Sequence, residues 1–142
     1  MQLFHLHPVV VHFPIALLVA GLATQIASVL RRDSMGLDAA ASWLLWIGTA
    51  TLWLAVGLGL VAERTAPHVP AAWEALYQHR RFGLWTAGIF TALSLWRRWR
   101  GRTLQRAFLG AWLIAAAMLL ITAYHGGQLV YGFGMGVMLP EH

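Results

Sequence analysis

The stretch that decides the fold is PVVVHFPIALLVAGLATQIASVLRR, Pro8 to Arg32. From Pro8 to Leu30 it carries no Asp, Glu, Lys or Arg, and it stops at Arg31, Arg32 and Asp33. A run of this length matches the roughly 20 apolar residues that an α-helix needs to cross a bilayer. Three further segments read alike: residues 39–62, closed by Glu63 and Arg64; residues 80–97, with an uncharged centre from Phe82 to Trp96; and residues 106–125. A glycine-rich tail, 126–142, follows.

Composition agrees. The 142 residues are 59% hydrophobic and 11% charged, against roughly 25% charged in soluble domains. No helix has the polar side that a water-facing surface needs, so the surplus apolar residues must meet lipid. The chain therefore reads as a single all-α domain, 1–142, an integral membrane up-down-up-down four-helix bundle with short connections. The first seven residues lack the basic region of a cleavable signal, so the first helix is expected to be retained. No internal repeat is visible in the residue identities.

All ten basic residues are arginine, and they sit at the ends of apolar runs. That distribution argues against nucleic acid, which would want a basic stripe. It serves topology instead. Arg31, Arg32, Arg97, Arg98, Arg100, Arg102 and Arg106 fall on one face, and Arg64, Arg80 and Arg81 on the other. The positive-inside rule puts the richer face in the cytoplasm of a bacterial inner membrane, with both termini on the outer, periplasmic face. Trp43, Trp46, Trp96 and Trp99 then mark the inner interface, and Trp73 and Tyr77 the outer one.

All seven histidines, His5, His7, His12, His68, His79, His125 and His142, fall toward the outer face in this topology. His12 lies 19 residues from Arg31, His79 lies 18 from Arg97, and His125 lies 19 from Arg106. At 1.5 Å per residue each stands roughly 27–29 Å above its bounding arginine, with His7 about 7 Å further out. Pro14 removes a backbone donor and is expected to distort the helix around Val10.

Matched imidazoles inside a membrane point to a ligated cofactor. With no cysteine in the chain, disulfides, iron–sulfur clusters and c-type haem attachment are excluded. A haem b iron held by two histidines is one answer: His12 and His79 on diagonal helices, with Arg80 and Arg81 for the propionates. His7 with His125 offers a second pair. The other answer is a zinc or copper site of His12, His79 and His125 beside Glu74. No glycine motif for phosphate and no catalytic serine constellation is present, so an electron-transfer or accessory role outranks a stand-alone enzyme. The partners expected are the lipid bilayer, a membrane redox complex and a periplasmic electron carrier. An accessory subunit of a respiratory or photosynthetic complex, without its own cofactor, is the alternative.

The segment His7-Pro8-Val-Val-Val-His12-Phe13-Pro14-Ile15-Ala16-Leu17 resembles the opening motif, HPxxVHFPIAL, of a bacterial family of predicted membrane proteins of unknown function. Its closing motif, GGxLVYxxGxGV, is matched by Gly126 to Val137. The resemblance covers nearly the whole chain and implies a four-helix membrane domain. It also implies a redox association, because similar domains occur joined to Rieske or c-type cytochrome modules. Many relatives carry a histidine where this chain has Phe133, so a ligand or proton carrier at that position is absent here.

Overall fold

A computed structural model describes residues 6–31, 35–65 and 69–135. These residues are helical, with no strand among them: α1 (Leu6–Val10), α2 (His12–Leu30), α3 (Met35–Thr65), a 3-10 turn (Pro70–Ala72), α4 (Trp73–Arg100) and α5 (Gln105–Tyr131). Among the described residues, three spans are long and apolar enough to cross a membrane: Leu6–Leu30, Met35–Thr65 and Gln105–Tyr131. The fourth long helix, α4, has 28 residues but carries Glu74, Arg80 and Arg81 near its start and three arginines in its last turn.

The break between α1 and α2 falls at Val11, next to the position where Pro14 withholds a donor from the Val10 carbonyl. Helical bonding resumes across it, Val11 donating to His7 at 3.1 Å and Ile15 to Val11 at 3.4 Å. The last helix outruns the sequence reading, continuing through Gly126 and Gly127 to Tyr131. Buried Leu129 anchors that extra turn, and packing of this kind overrides the low helix propensity of glycine. Helix α4 likewise starts earlier than expected, so much of the outer loop is helix. Arg32, Asp33, His5, His68, His142 and the end of the closing motif lie outside the described residues.

Helix α2 packs on α3 and α5, and α4 packs on α3 and α5. Neighbours run antiparallel: His7 meets Ala55 while Leu18 meets Gly48, and Arg80 meets Glu63 while Arg97 meets Asp38. The core is a column of fully buried side chains, Leu18, Leu45, Phe90, Phe108 and Trp112. Trp112 fits because α2 offers Gly21: a Cβ there would lie 2.9 Å from Trp112 Cζ2. Outward-facing positions are apolar too, including Trp43, Trp85 and Ile114, the pattern of a lipid-facing exterior.

The two helix pairs share one register. Buried residues fall seven, eleven, fourteen and eighteen positions after His7 (Pro14, Leu18, Gly21, Gln25) and after His79 (Thr86, Phe90, Leu93, Arg97). On the second helix of each pair they fall three, six, seven, ten and fourteen positions before Ala55 and before Thr122. The chain is thus two helix hairpins in parallel repeat, about an approximate twofold axis along the bundle, an arrangement familiar among membrane proteins. Burial and contacts carry the repeat; residue identities do not.

At the arginine-rich end, Arg97 and Asp38 form a buried ion pair, each 6% exposed. Arg97 Nε also donates to Ser42 Oγ at 2.8 Å and Nη1 to the Gly101 carbonyl at 3.1 Å. Gln105 Nε2 donates to Asp38 Oδ1 at 3.1 Å. Three helices are joined there by charge-assisted hydrogen bonds, which cost little to bury because every member has a partner.

Candidate functional site

At the other end of the bundle His7 and His79 come together. His7 heads the α1–α2 segment and His79 lies two turns into α4, so the diagonal helices each contribute one ring. Their centroids are 6.2 Å apart and their planes cross at 71°. Each ring is held the same way. His7 Nδ1 donates to the Ala55 carbonyl of α3 at 2.8 Å, and His79 Nδ1 donates to the Thr122 carbonyl of α5 at 3.1 Å. A carbonyl only accepts, so both neutral rings carry their proton on Nδ1 and present the Nε2 lone pair.

One helical turn beyond each carbonyl stands a glycine. A Cβ on Gly59 would lie 3.0 Å from His7 Cε1, and a Cβ on Gly126 would lie 3.0 Å from His79 Cε1. A Cβ at either position would require the ring to give by a few tenths of an ångström, and a branched side chain would require more. The seats Ala55–Gly59 and Thr122–Gly126 are equivalent positions of the two hairpins.

The rings line a cavity of about 450 Å³, within the size range of cofactor sites. Its wall is mostly apolar, with Leu52, Val56, Ile15, Leu119 and Leu129 among its residues. Polar side chains that are themselves partly or fully exposed line it on two sides, its two mouths. Between α3 and α4 stand Glu63 and Arg80, paired at 3.0 Å. Between the α1–α2 segment and α5 stand His12 and Tyr131.

The other expected site residues are distributed differently from the sequence reading. His12 is exposed at the cavity rim, its Nδ1 3.4 Å from the Val9 carbonyl of α1, and the ring that meets His79 is that of His7. His125 lies beside the cavity rather than in its wall, stacked on Phe82 at 4.9 Å and 11°. His7 faces His79 and not His125. Arg80 reaches the cavity, while exposed Arg81 lies over the Tyr77 ring, 5.7 Å from its centroid. Glu74 accepts from Gln78 at 3.0 Å on the surface. Among the described residues no three His, Asp or Glu side chains gather as a metal-ligand set.

Arg31 and Arg97, from which the depths of His12 and His79 are counted, are not equivalent positions of the two hairpins. Arg97 is not a boundary arginine but a buried one, and its equivalent eighteen positions after His7 is Gln25. Arg31 lies six residues further along α2, about 9 Å at 1.5 Å per residue. Corrected by that amount, His7 and His79 share a level. The signal was present in the sequence, since His7 and Gly126 belong to the two end motifs.

Neither the curated proteins nor the solved structures contain a match to this chain. A family model does match it, over residues 4–139, and with the apolar spans already described it establishes that the chain belongs to DUF2231, a family of predicted membrane proteins.

Proposed function

We propose that this chain is a membrane b-type cytochrome, an electron-transfer subunit holding one haem between His7 and His79 near the periplasmic face. The observation that carries the reading is the pair of opposed imidazoles with both Nδ1 protons committed to backbone carbonyls. A hydrogen bond of that kind fixes tautomer and ring orientation and raises the basicity of the ligating nitrogen. Spacing agrees as well: the ring centroids are 6.2 Å apart, close to the roughly 6.4 Å that two metal–imidazole bonds of about 2.0 Å and two ring radii of roughly 1.2 Å would add up to.

The surroundings suit a haem. The apolar wall would exclude water from the ring, and Arg80 at one mouth offers a cation to a propionate, with Glu63 as its partner otherwise. The haem would supply reversible one-electron chemistry. The protein's share is ligation, orientation and a low-dielectric wall that sets the potential. In the membrane, α4 would be a fourth crossing, shielded by its neighbours, with the seven-arginine end in the cytoplasm. Electrons would then pass between a membrane complex and a periplasmic carrier.

The test is a dithionite-reduced minus oxidised spectrum of the purified protein, with haem extraction. A sharp α-band lost in His7→Ala and in His79→Ala, and retained in His12→Ala and His125→Ala, is the expected result. A featureless wild-type spectrum after growth with added haem would overturn the reading in favour of an accessory subunit without a cofactor.

A further inference from the structure

The two mouths of the cavity are equivalent by the internal repeat but chemically opposite. Pro8 and His12 of one hairpin stand where Arg80 and Leu84 stand in the other. Likewise, Val130 stands where Glu63 does. The α3–α4 mouth is spanned by an ion pair. Among the described residues, the mouth between the α1–α2 segment and α5 carries no Arg, Asp or Glu, and both of its segments are among the apolar spans. His12 is exposed on that rim, and its Nε2 has no protein partner among the described residues. Tyr131, 91% exposed, stands on the other side of the same mouth.

An ionisable side chain on an apolar span is costly unless it meets a polar group there. His12 Nε2 offers one hydrogen bond, and its surroundings offer apolar and aromatic surface open to the bilayer. We infer that this mouth is a binding subsite for the headgroup of a lipophilic quinone. Such a ligand is uncharged, flat and apolar apart from two oxygens, one of which His12 would engage. A fatty acid would bring a carboxylate to a mouth with no arginine, and a phospholipid headgroup is too highly charged for an uncharged rim. The inference rests on the electron-transfer reading for what the ligand is for, but its binding does not depend on haem.

The experiment is saturable quenching of tryptophan fluorescence by ubiquinone-2 in nanodiscs, on the full chain. Quenching is compared among wild type, His12→Ala, His12→Gln and His125→Ala, with helix content checked by circular dichroism. His125 is the control because it lies at the same end but outside the cavity wall. Affinity at least tenfold weaker in His12→Ala, partly restored in His12→Gln and unchanged in His125→Ala is expected. Equal affinity in His12→Ala and wild type would overturn the inference, as would displacement of ubiquinone-2 by an equal concentration of oleate. Haem content, measured on the same samples, separates the two ideas. Quinone binding without haem sinks only the cytochrome; haem without His12-dependent binding sinks only the subsite.

Discussion

His7 and His79 hold equivalent posts in the two hairpins, each bonded through Nδ1 to a carbonyl of the next helix and seated against the glycine one turn beyond. The posts are defined by backbone, and no side chain supplies either hydrogen bond. Ring orientation is therefore built into the packing of helix on helix, and it is vulnerable only where the helices touch the rings.

That vulnerability gives the first prediction. Gly59→Val or Gly126→Val places carbon atoms at and beyond a Cβ position already 3.0 Å from a ring atom. Overpacking of this kind costs about 1–3 kcal/mol, here taken up by rotating the histidine off its carbonyl. Haem retained after purification should fall by roughly tenfold, a factor that corresponds to about 1.4 kcal/mol. Gly57→Val, with nothing within 4 Å of its Cβ, should retain haem like wild type. Extracted haem per protein is the measurement, and equal retention in all three variants would remove the glycines from the site.

At the opposite end the Asp38–Arg97 pair predicts a different kind of loss. Removing one partner leaves the other charge buried, at a cost of about 3–5 kcal/mol. Asp38→Asn and Arg97→Met should each lower the thermal midpoint substantially. The double variant Asp38→Leu with Arg97→Met should recover most of it, because a buried pair replaced by apolar side chains is nearly neutral. Failure of the double variant to recover would mean that the Ser42 and Gln105 bonds carry more of the stability than the ion pair.

These two ends show how far the sequence could be read. Apolar runs bounded by arginines identify α2, α3 and α5, because lipid allows only continuous helix. The gathering of histidines at one end is legible for the same reason, since topology sorts them. Choosing between His7 and His12 needs to know which arginine is a boundary, and Arg97 looks like one in sequence while being buried against Asp38. The internal repeat is hidden because lipid-facing and core positions accept many apolar residues. Leu18 and Phe90, or Leu45 and Trp112, fill equivalent posts with nothing in common but burial and apolar character. Gly126 reads as the start of a loose tail, yet its lack of a side chain is what seats His79.

Gln25 occupies the post equivalent to Arg97, and it is fully buried with neither amide atom bonded to protein. An unpaired buried amide costs about 1–3 kcal/mol relative to an apolar side chain of similar shape. Gln25→Leu should therefore raise the midpoint of thermal unfolding rather than lower it, with haem content unchanged. A fall in stability would show that the amide has a bound partner in the membrane-embedded protein.

The proposed crossing by α4 and the proposed orientation can be tested together, because the chain has no native cysteine. Ala71 stands just before α4, and Thr103 between α4 and α5, both exposed. If α4 crosses the membrane, Ala71→Cys and Thr103→Cys face opposite compartments. With the arginine-rich end inside, a membrane-impermeant maleimide should label Ala71→Cys on intact spheroplasts and Thr103→Cys only after lysis. The reverse pattern would invert the topology and put the histidine pair on the cytoplasmic side. Labelling of both from outside would mean that α4 does not cross. The 28-residue helix would then have to lie outside the hydrocarbon, exposing Phe90 and Leu93 from a face that is buried in the fold. That cost, about 1.5–3 kcal/mol for each large apolar side chain, is why labelling from opposite faces is the expected result.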